Sequence, residues 1–197
     1  PNVVWDQSFL GAGNFSAIFI RGVGQPGNFF ESSADPAVGV YLDGVYIGRA
    51  IGSVLGINDV EQIEVLRGPQ GTLFGRNTTG GAVLVTTRQP GPELSGWGEV
   101  TTGSYDRLDA RGVLNIPLSD TVFTRFSVSS LNKDGYGTSL QSGAEFGDVN
   151  TDSARAALRW LASDDLNVDL TYDRNRTRQN APVITLMYAD ADPMSLT

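Results

Sequence analysis

The sequence predicts two kinds of β structure in one chain. Residues 1–90 are expected to form a small α+β domain, and residues 91–197 to form antiparallel transmembrane β-barrel strands that leave the barrel incomplete. Three observations favour this class. Short apolar runs separated by glycine-rich turns fill the first part, and longer strands with one apolar and one polar face fill the second. Between them, Arg88 to Gly96 holds two prolines and two glycines, which is typical of a domain boundary.

Composition excludes several functional classes. The chain has 14 basic and 22 acidic residues, a formal charge of -8, and no histidine or cysteine. A nucleic-acid binder needs a basic surface, so no nucleic-acid partner is expected. Without histidine and cysteine, zinc sites, Ser-His-Asp or Cys-His catalysis and disulfides are excluded. No motif positions Glu31, Asp35 or Asp43 as an acid pair for glycoside hydrolysis. We therefore predict no enzyme activity, no metal site and no cofactor.

Apolar runs long enough for a membrane-spanning helix are absent from the sequence. Barrel strands give only a weak hydropathy signal, so this does not argue against an outer-membrane location. The chain starts at Pro1 without an initiator methionine or a signal peptide, and we expect it to be part of a longer protein.

The first part is predicted to contain short strands and tight turns. Ser16 to Gly22 is a compact apolar strand, and Val38 to Gly48 is a hairpin in which Asp43-Gly44 supplies the backbone conformation of a tight turn. One helical turn beginning at Asn58 or Asp59 should precede the strand "IEVLRG". The run "GGAVLVTT" is a further strand.

The second part alternates regularly between apolar and polar residues. The apolar set of the clearest strand is Leu108, Ala110, Gly112, Leu114, Ile116 and Leu118, and its opposite set includes Arg107, Asp109, Arg111 and Asn115. The runs around Phe126, Trp160 and Leu170 repeat this pattern. Short turns alternate with long polar loops such as Asn132 to Thr151, as in an outer-membrane barrel. A soluble sandwich with one solvated face is the alternative. About five such strands are present, fewer than the eight or so that the smallest barrels need.

A glycine-rich stretch joins two apolar runs and first suggests a phosphate loop. In "GPQGTLFGRN", however, Gly75 is followed by Arg76-Asn77 instead of the lysine and hydroxyl residue of a Walker loop. Gly68, Gly71 and Gly75 also do not fit the GxGxxG spacing of a dinucleotide site. We therefore reject a nucleotide role.

The stretch "DVEQIEVLRGPQGTLFGRNTTGGAVLVTTRQP", with "IFIRGVG" and "VGVYLDGVYIGR" upstream, resembles the plug domain of TonB-dependent outer-membrane receptors. The resemblance is most specific over Arg21 to Pro90 and continues more loosely into the strands that follow. It implies a plug inside a barrel of about 22 strands. It also implies active uptake of a scarce nutrient, with an iron-siderophore complex as the main hypothesis and no chemistry on the substrate. Carbohydrate or vitamin uptake, and a non-transporting sensor or adhesin, are alternatives within the family.

The resemblance also implies roles for residues and partners. By motif position, Arg21 and Arg67 should join barrel glutamates and lock plug to wall, whereas Arg76 has no secure partner. Expected partners are TonB, through a TonB box upstream of this chain, a small ligand such as a ferric siderophore, and outer-membrane lipid. Candidate ligand contacts on the plug loops are Gln25, Asn28, Phe29, Phe30, Tyr46 and Arg49. The glycines expected at turns and close backbone contacts are Gly22, Gly44, Gly68, Gly71, Gly75, Gly80 and Gly81.

Outside this family, a soluble sugar-binding β protein remains the rival hypothesis; it predicts a monomer that folds without detergent.

Overall fold

The computed structural model describes residues 2–6, 17–24, 35–48, 59–138, 143 and 145–180. Most of these residues lie in β-strands, which form two separate assemblies. The first is built from residues up to Thr87, and the second begins at Ser95.

The first assembly contains two small sheets. Its elements are β1 (Val3–Asp6), β2 (Ala17–Ile20), β3 (Val23–Gly24), β4 (Val38–Leu42), β5 (Val45–Tyr46), β6 (Val60–Arg67), α1 (Gly71–Phe74) and β7 (Gly81–Thr87). Strands β1, β2 and β3 form an antiparallel sheet, and the second sheet has the order β5-β4-β7-β6. In the second sheet β4 and β7 are parallel, whereas the other neighbours are antiparallel. We call this second sheet the plug sheet.

A compact apolar core lies between the two small sheets. The fully buried members are Ile18, Ile20, Val38, Val40, Val83 and Val85, which come from β2, β4 and β7. β-Branched residues dominate because they fit the half-buried surface of a pleated strand. The predicted strand at Ser16 to Gly22 and the hairpin at Val38 to Gly48 are therefore core elements. The helical turn predicted to begin at Asn58 or Asp59 is wrong, because strand β6 already begins at Val60 and Asp59 lies in no helix. Asn58 itself lies outside the described residues.

The second assembly is one antiparallel sheet, which we call the wall. Its strands are β8 (Ser95–Gly103), β9 (Arg107–Pro117), β10 (Val122–Lys133), β13 (Val149–Ser163) and β14 (Leu166–Thr177), adjacent in that order. Strands β8 and β14 are the two edges, so the sheet is not closed. Two short antiparallel strands of two residues each, β11 (Gly137–Thr138) and β12 (Glu145–Phe146), lie in the segment between β10 and β13. The polar loop is therefore shorter than the predicted range.

The two faces of the wall are buried in the opposite sense to those of a soluble protein. Polar side chains are covered: Asp109, Asn115, Arg125, Ser127, Ser129 and Ser153 are all nine-tenths buried. Apolar side chains on the alternate positions are open: Leu108, Leu114, Val128, Trp160, Leu170 and Tyr172 are all more than two-fifths exposed. A soluble sandwich would bury the apolar face. The observed arrangement is that of a barrel with a polar interior and a lipid-facing exterior.

Within the described ranges, no helix is long and apolar enough to cross a membrane.

Candidate functional site

Three polar residues meet at one end of the plug sheet. Asp43 follows β4, Thr87 ends β7, and Asp59 precedes β6. Because β4 and β7 are parallel and β6 is antiparallel to them, all three residues lie at the same end of the strands. Here the chain leaves β7 and runs through residues 88–94 into β8, the first strand of the wall. We call this end of the plug sheet the junction end, because the plug sheet contacts the wall there.

A buried ion pair joins Asp59 to Arg125 of β10. The guanidinium binds the carboxylate through two nitrogens, with 2.8 Å between Nη2 and Oδ1 and a second contact from Nε to Oδ2. Both side chains are less than one-tenth exposed. The backbone carbonyl of Asp59 also accepts a hydrogen bond from the Arg88 amide at 2.9 Å. Removing one partner would leave a buried charge uncompensated, which is far more costly than the net value of the pair.

Arg155 of β13 makes the second contact between the assemblies. Its Nη2 lies 2.5 Å from Oδ2 of Asp43 and 2.8 Å from Oγ1 of Thr87, and its Nη1 lies 2.9 Å from Oδ1 of Asp173. Asp43 also accepts hydrogen bonds from the amide and hydroxyl of Thr87, both at 2.8 Å. The Asp43 carboxylate therefore holds the end of β7 and one wall strand at once. The fork geometry of arginine suits this bridging role.

Asn115 of β9 fixes the connecting segment to the wall. Its amide oxygen accepts from the Gly91 amide at 3.1 Å, and its amide nitrogen donates to the carbonyls of Gly91 and Glu93 at 2.8 and 2.6 Å. Asn115 is 2% exposed, so these bonds satisfy polar groups that water does not reach. Three neighbouring strands of the wall thus hold the junction end through side chains.

The ion pairs at the junction end involve other residues than the plug–barrel contacts predicted for Arg21 and Arg67. The sequence-based expectation places arginines on the plug and carboxylates on the barrel. At the junction end, the carboxylates of Asp43 and Asp59 come from the plug sheet and the arginines from the wall. Sequence reasoning explained Asp43 by its turn alone and gave Arg125 and Arg155 no role. The only local signal was the position of each arginine on the polar face of its strand, which Arg159 shares with Arg155.

Arg21 and Arg67 lie away from the junction end. Arg21 occupies the two-residue turn between β2 and β3 with a φ of 54°, and Arg67 is the last residue of β6, at its other end. Both are exposed, as is Arg76, and none of the three forms an ion pair with the described residues. The resemblance assigns the glutamate partners of Arg21 and Arg67 to later barrel strands, so the locking role stays a prediction.

Of the candidate ligand contacts, only Tyr46 falls in the described part of the chain; Gln25, Asn28, Phe29, Phe30 and Arg49 lie outside it. The Tyr46 hydroxyl accepts a hydrogen bond from Asn77 at 3.0 Å. Its ring lies 5.4 Å from that of Tyr41, whose hydroxyl donates to the Phe74 carbonyl at 2.7 Å. Burial, with a smaller effect of Tyr46, raises the pKa of Tyr41. Tyr46 therefore helps to hold the segment around α1 on the hairpin.

The predicted glycines differ in what their backbones require. Positive φ angles occur at Gly22, Gly44, Gly68, Gly75 and Gly81. Gly80 has no positive φ, but a Cβ there would lie 2.9 Å from Val23. Gly71 begins α1 with open space around it.

Comparison with known proteins identifies the family. Residues 1–82 match the family model described as TonB-dependent Receptor Plug Domain. The solved structure of the ferric yersiniabactin uptake receptor of Yersinia pestis superposes on 92% of the chain with a TM-score of 0.79 and 28% identity. Residues 1–82 belong to the family of TonB-dependent receptor plug domains. The wall resembles part of the barrel of the yersiniabactin receptor, and it is not closed.

Two further proteins resemble the chain, one in sequence and one in fold. The pesticin receptor of Yersinia enterocolitica is 34% identical over 122 residues, which is 61% of this chain and 17% of that protein. The pyoverdine outer-membrane receptor of Pseudomonas aeruginosa covers 89% of the chain at a TM-score of 0.67 and 16% identity, which supports the fold alone. The chain spans 28% of the yersiniabactin receptor and 23% of the pyoverdine receptor. TonB-dependent receptors are outer-membrane transporters of Gram-negative bacteria and not enzymes, as the sequence predicted.

Proposed function

We propose that the intact receptor containing this chain imports a scarce nutrient by TonB-dependent active transport, and that the nutrient is an iron-siderophore complex. The observation that carries this proposal is the superposition of 92% of the chain on a ferric yersiniabactin uptake receptor at 28% identity. The outward apolar face of the wall supports the membrane location that such uptake needs.

In the proposed mechanism the ligand binds on the outer side of the plug, and TonB pulls the plug's N-terminal segment. The plug then yields and the ligand passes. The plug must therefore be stable at rest and still able to separate from the wall. The ion pairs of Asp43 and Asp59 suit this, because water and counterions can solvate the charges once the interface opens.

Arg21 and Arg67 lie away from the junction end, and we propose that they hold the plug to the barrel wall there. Arg67→Ala in the full-length receptor should raise the passive leak of small solutes, because the loss of a charged contact loosens the plug at rest. Leak is measured by antibiotic sensitivity and by conductance in planar bilayers. Arg88→Ala is the control variant, because Arg88 is also exposed but lies at the end of the plug sheet opposite to Arg67. Unchanged leak with normal assembly would contradict the locking role.

Iron limitation tests the proposed nutrient. Expression of the parent gene should rise when iron is scarce, and cells carrying it should take up ferric complexes labelled with radioactive iron. We would use one catecholate, one hydroxamate and one phenolate siderophore as probes, in strains with and without TonB.

TonB-dependent uptake of at least one probe supports the proposal. Iron-independent expression together with no uptake would overturn it. Induction by a carbon source or by vitamin limitation would then indicate another nutrient. Ligand binding without uptake in any strain would indicate a sensor or an adhesin.

A further inference from the structure

One cross-strand row of the wall contains buried polar atoms without partners. The strand register sets Arg111 of β9 opposite Ser129 of β10, and Ser129 opposite Ser153 of β13. Ser129 and Ser153 are 5% and 7% exposed. In the part of the chain that the structure describes, Nε of Arg111 and the two hydroxyl oxygens are buried with no hydrogen-bond partner. We call these three residues the Arg111 row.

Every other inward-facing arginine of the wall has an aspartate partner. The pairs are Arg107–Asp109, Arg125–Asp59, Arg155 with Asp43 and Asp173, and Arg159–Asp169. Among the described residues, Arg111 has no carboxylate within ion-pair distance. Glu99 faces it from β8, but its carboxylate accepts from Thr101 at 3.3 Å. Arg111 is therefore the exception among the inward-facing arginines of the wall.

The groups in this row share one binding chemistry. A guanidinium has donors only, and each serine hydroxyl can donate as well as accept. Buried polar groups are almost always hydrogen-bonded, and charge-assisted bonds to an anionic oxygen are the strongest that these donors make. An anionic oxygen, such as that of a carboxylate, is therefore the ligand chemistry that these donors favour.

We propose that Arg111, Ser129 and Ser153 form an oxyanion-binding site on the inner wall, which is covered at rest and contacted by the imported ligand in transit. This inference rests on the proposed transport function. The row lies two residues along β10 from Ser127, which pairs with Arg155 of the junction. A ligand that moves between plug and wall would therefore reach the Arg111 row beside the contacts that hold the junction end.

Charged thiol reagents test the site without knowledge of the ligand. The chain has no cysteine, so Ser129→Cys introduces a single thiol into this part of the full-length receptor. We would compare an anionic methanethiosulfonate, carrying a sulfonate, with a cationic one, carrying trimethylammonium, in iron-limited cells with and without TonB. The thiol should react faster when TonB is present. The anionic reagent should then be about three- to tenfold faster than the cationic one, relative to their rates with a free thiol.

Three variants control this measurement. Arg111→Gln should abolish the preference for the anionic reagent, and Arg111→Lys should retain it. Ser127→Cys is the matched control, because Ser127 is 4% exposed on the same strand, beside an arginine that aspartates neutralise. It should show no preference between the reagents.

Equal rates of the two reagents at Ser129→Cys, or rates that do not depend on TonB, would overturn the site. An anionic preference that survives Arg111→Gln would overturn the role of Arg111. The two proposals fail separately. Iron uptake together with equal reagent rates would contradict only the oxyanion site. A preference that depends on Arg111, without uptake of any ferric probe, would contradict only iron as the nutrient.

Discussion

The ion pairs made by arginines of the wall differ greatly in their expected contribution to stability, and burial decides the difference. The Asp59–Arg125 pair is less than one-tenth exposed on both sides, whereas the side chains of Arg159 and Asp169 are 31% and 44% exposed. Both are arginine–aspartate pairs with two nitrogen–oxygen contacts. Solvent screening reduces the exposed pair to a small contribution.

Arg125→Ala in the full-length receptor should lower the free energy of unfolding of the plug by about 3–5 kcal/mol, because Asp59 is left as a buried, unpaired charge. The double variant Arg125→Ala with Asp59→Asn should recover part of this loss. Chemical denaturation followed by a fluorescent label on the plug measures the change. Arg159→Ala is the control and should cost at most about 1 kcal/mol. Equal losses for Arg125→Ala and Arg159→Ala would refute the argument from burial.

Gly81 is a position where no side chain fits. Its φ is 146°, and a Cβ would lie 2.3 Å from the Leu66 carbonyl oxygen and 2.7 Å from Cδ1 of Ile20. Gly81→Ala should therefore destabilise the plug by about 2–4 kcal/mol through strain in β7 and its neighbours. Thermal unfolding of the receptor reports the change. Gly71→Ala is the control, since open space surrounds that glycine, and it should shift stability by less than about 1 kcal/mol. Similar melting temperatures for the two variants would contradict this reading.

At the scale of elements, the segment around α1 is held to the β4–β5 hairpin by aromatic contacts and hydrogen bonds. The Tyr41 ring packs 5.1 Å from that of Phe74, and the Tyr41 hydroxyl donates to the Phe74 carbonyl. Thr78 adds a bond to the Gly75 carbonyl at 2.8 Å. Side chains of the stretch and of the hairpin therefore satisfy part of the stretch's own backbone.

Alkaline pH should loosen this segment. The folded pKa of Tyr41 is raised above its ordinary value near 10, so the folded state favours the neutral phenol. Its stabilisation is fully present below about pH 10 and is lost as the pH rises through the folded pKa. Denaturation should give a lower free energy of unfolding at pH 11 than at pH 8, and this difference should be smaller in Tyr41→Phe. Tyr41→Phe itself should cost about 1 kcal/mol at pH 8, the usual net value of one hydrogen bond. The same pH dependence in Tyr41→Phe would assign it to another group.

At the scale of the whole molecule, the wall has its polar face turned toward the plug and its apolar face exposed. Leu170 and Val128 lie on the open face, 61% and 55% exposed, on strands that pair through β13. In water such a surface would associate, whereas in a bilayer it contacts acyl chains. The fold is therefore stable as a unit only when lipid or detergent covers this face.

A charge on this face should impair assembly. Leu170→Arg in the full-length receptor should destabilise the membrane-inserted state by about 2–4 kcal/mol, the cost of a cation near the bilayer midplane. The yield of heat-modifiable barrel in outer-membrane fractions measures it. Asn167→Arg, on the inward face near the β13–β14 turn, is the control and should assemble normally. Normal assembly of Leu170→Arg would mean that this face does not contact lipid.

The strand pattern of the wall and the division of the chain were accessible from the sequence, since they depend on local alternation and on turn residues. The apolar and polar sets around Leu108 and Asp109 are the observed faces. The hairpin at Asp43-Gly44 follows from a tight turn that only certain residue types adopt. The motif "LRGPQGTLFGRNTTGG" indicated the plug-domain family, because the spacing of its glycines does not fit a nucleotide-binding site.

Only the tertiary structure decided which charges meet. Asp59 and Arg125 are 66 residues apart, and Asp43 and Arg155 are 112 apart, so no local pattern relates them. Their pairing depends on the parallel arrangement of β4 and β7 and on where the connecting segment places the wall. The unpartnered Arg111 row is equally invisible in the sequence, where Arg111 resembles the other arginines of the wall. Alternation along one strand determines which face a side chain occupies, but the partner across an interface is set by long-range packing.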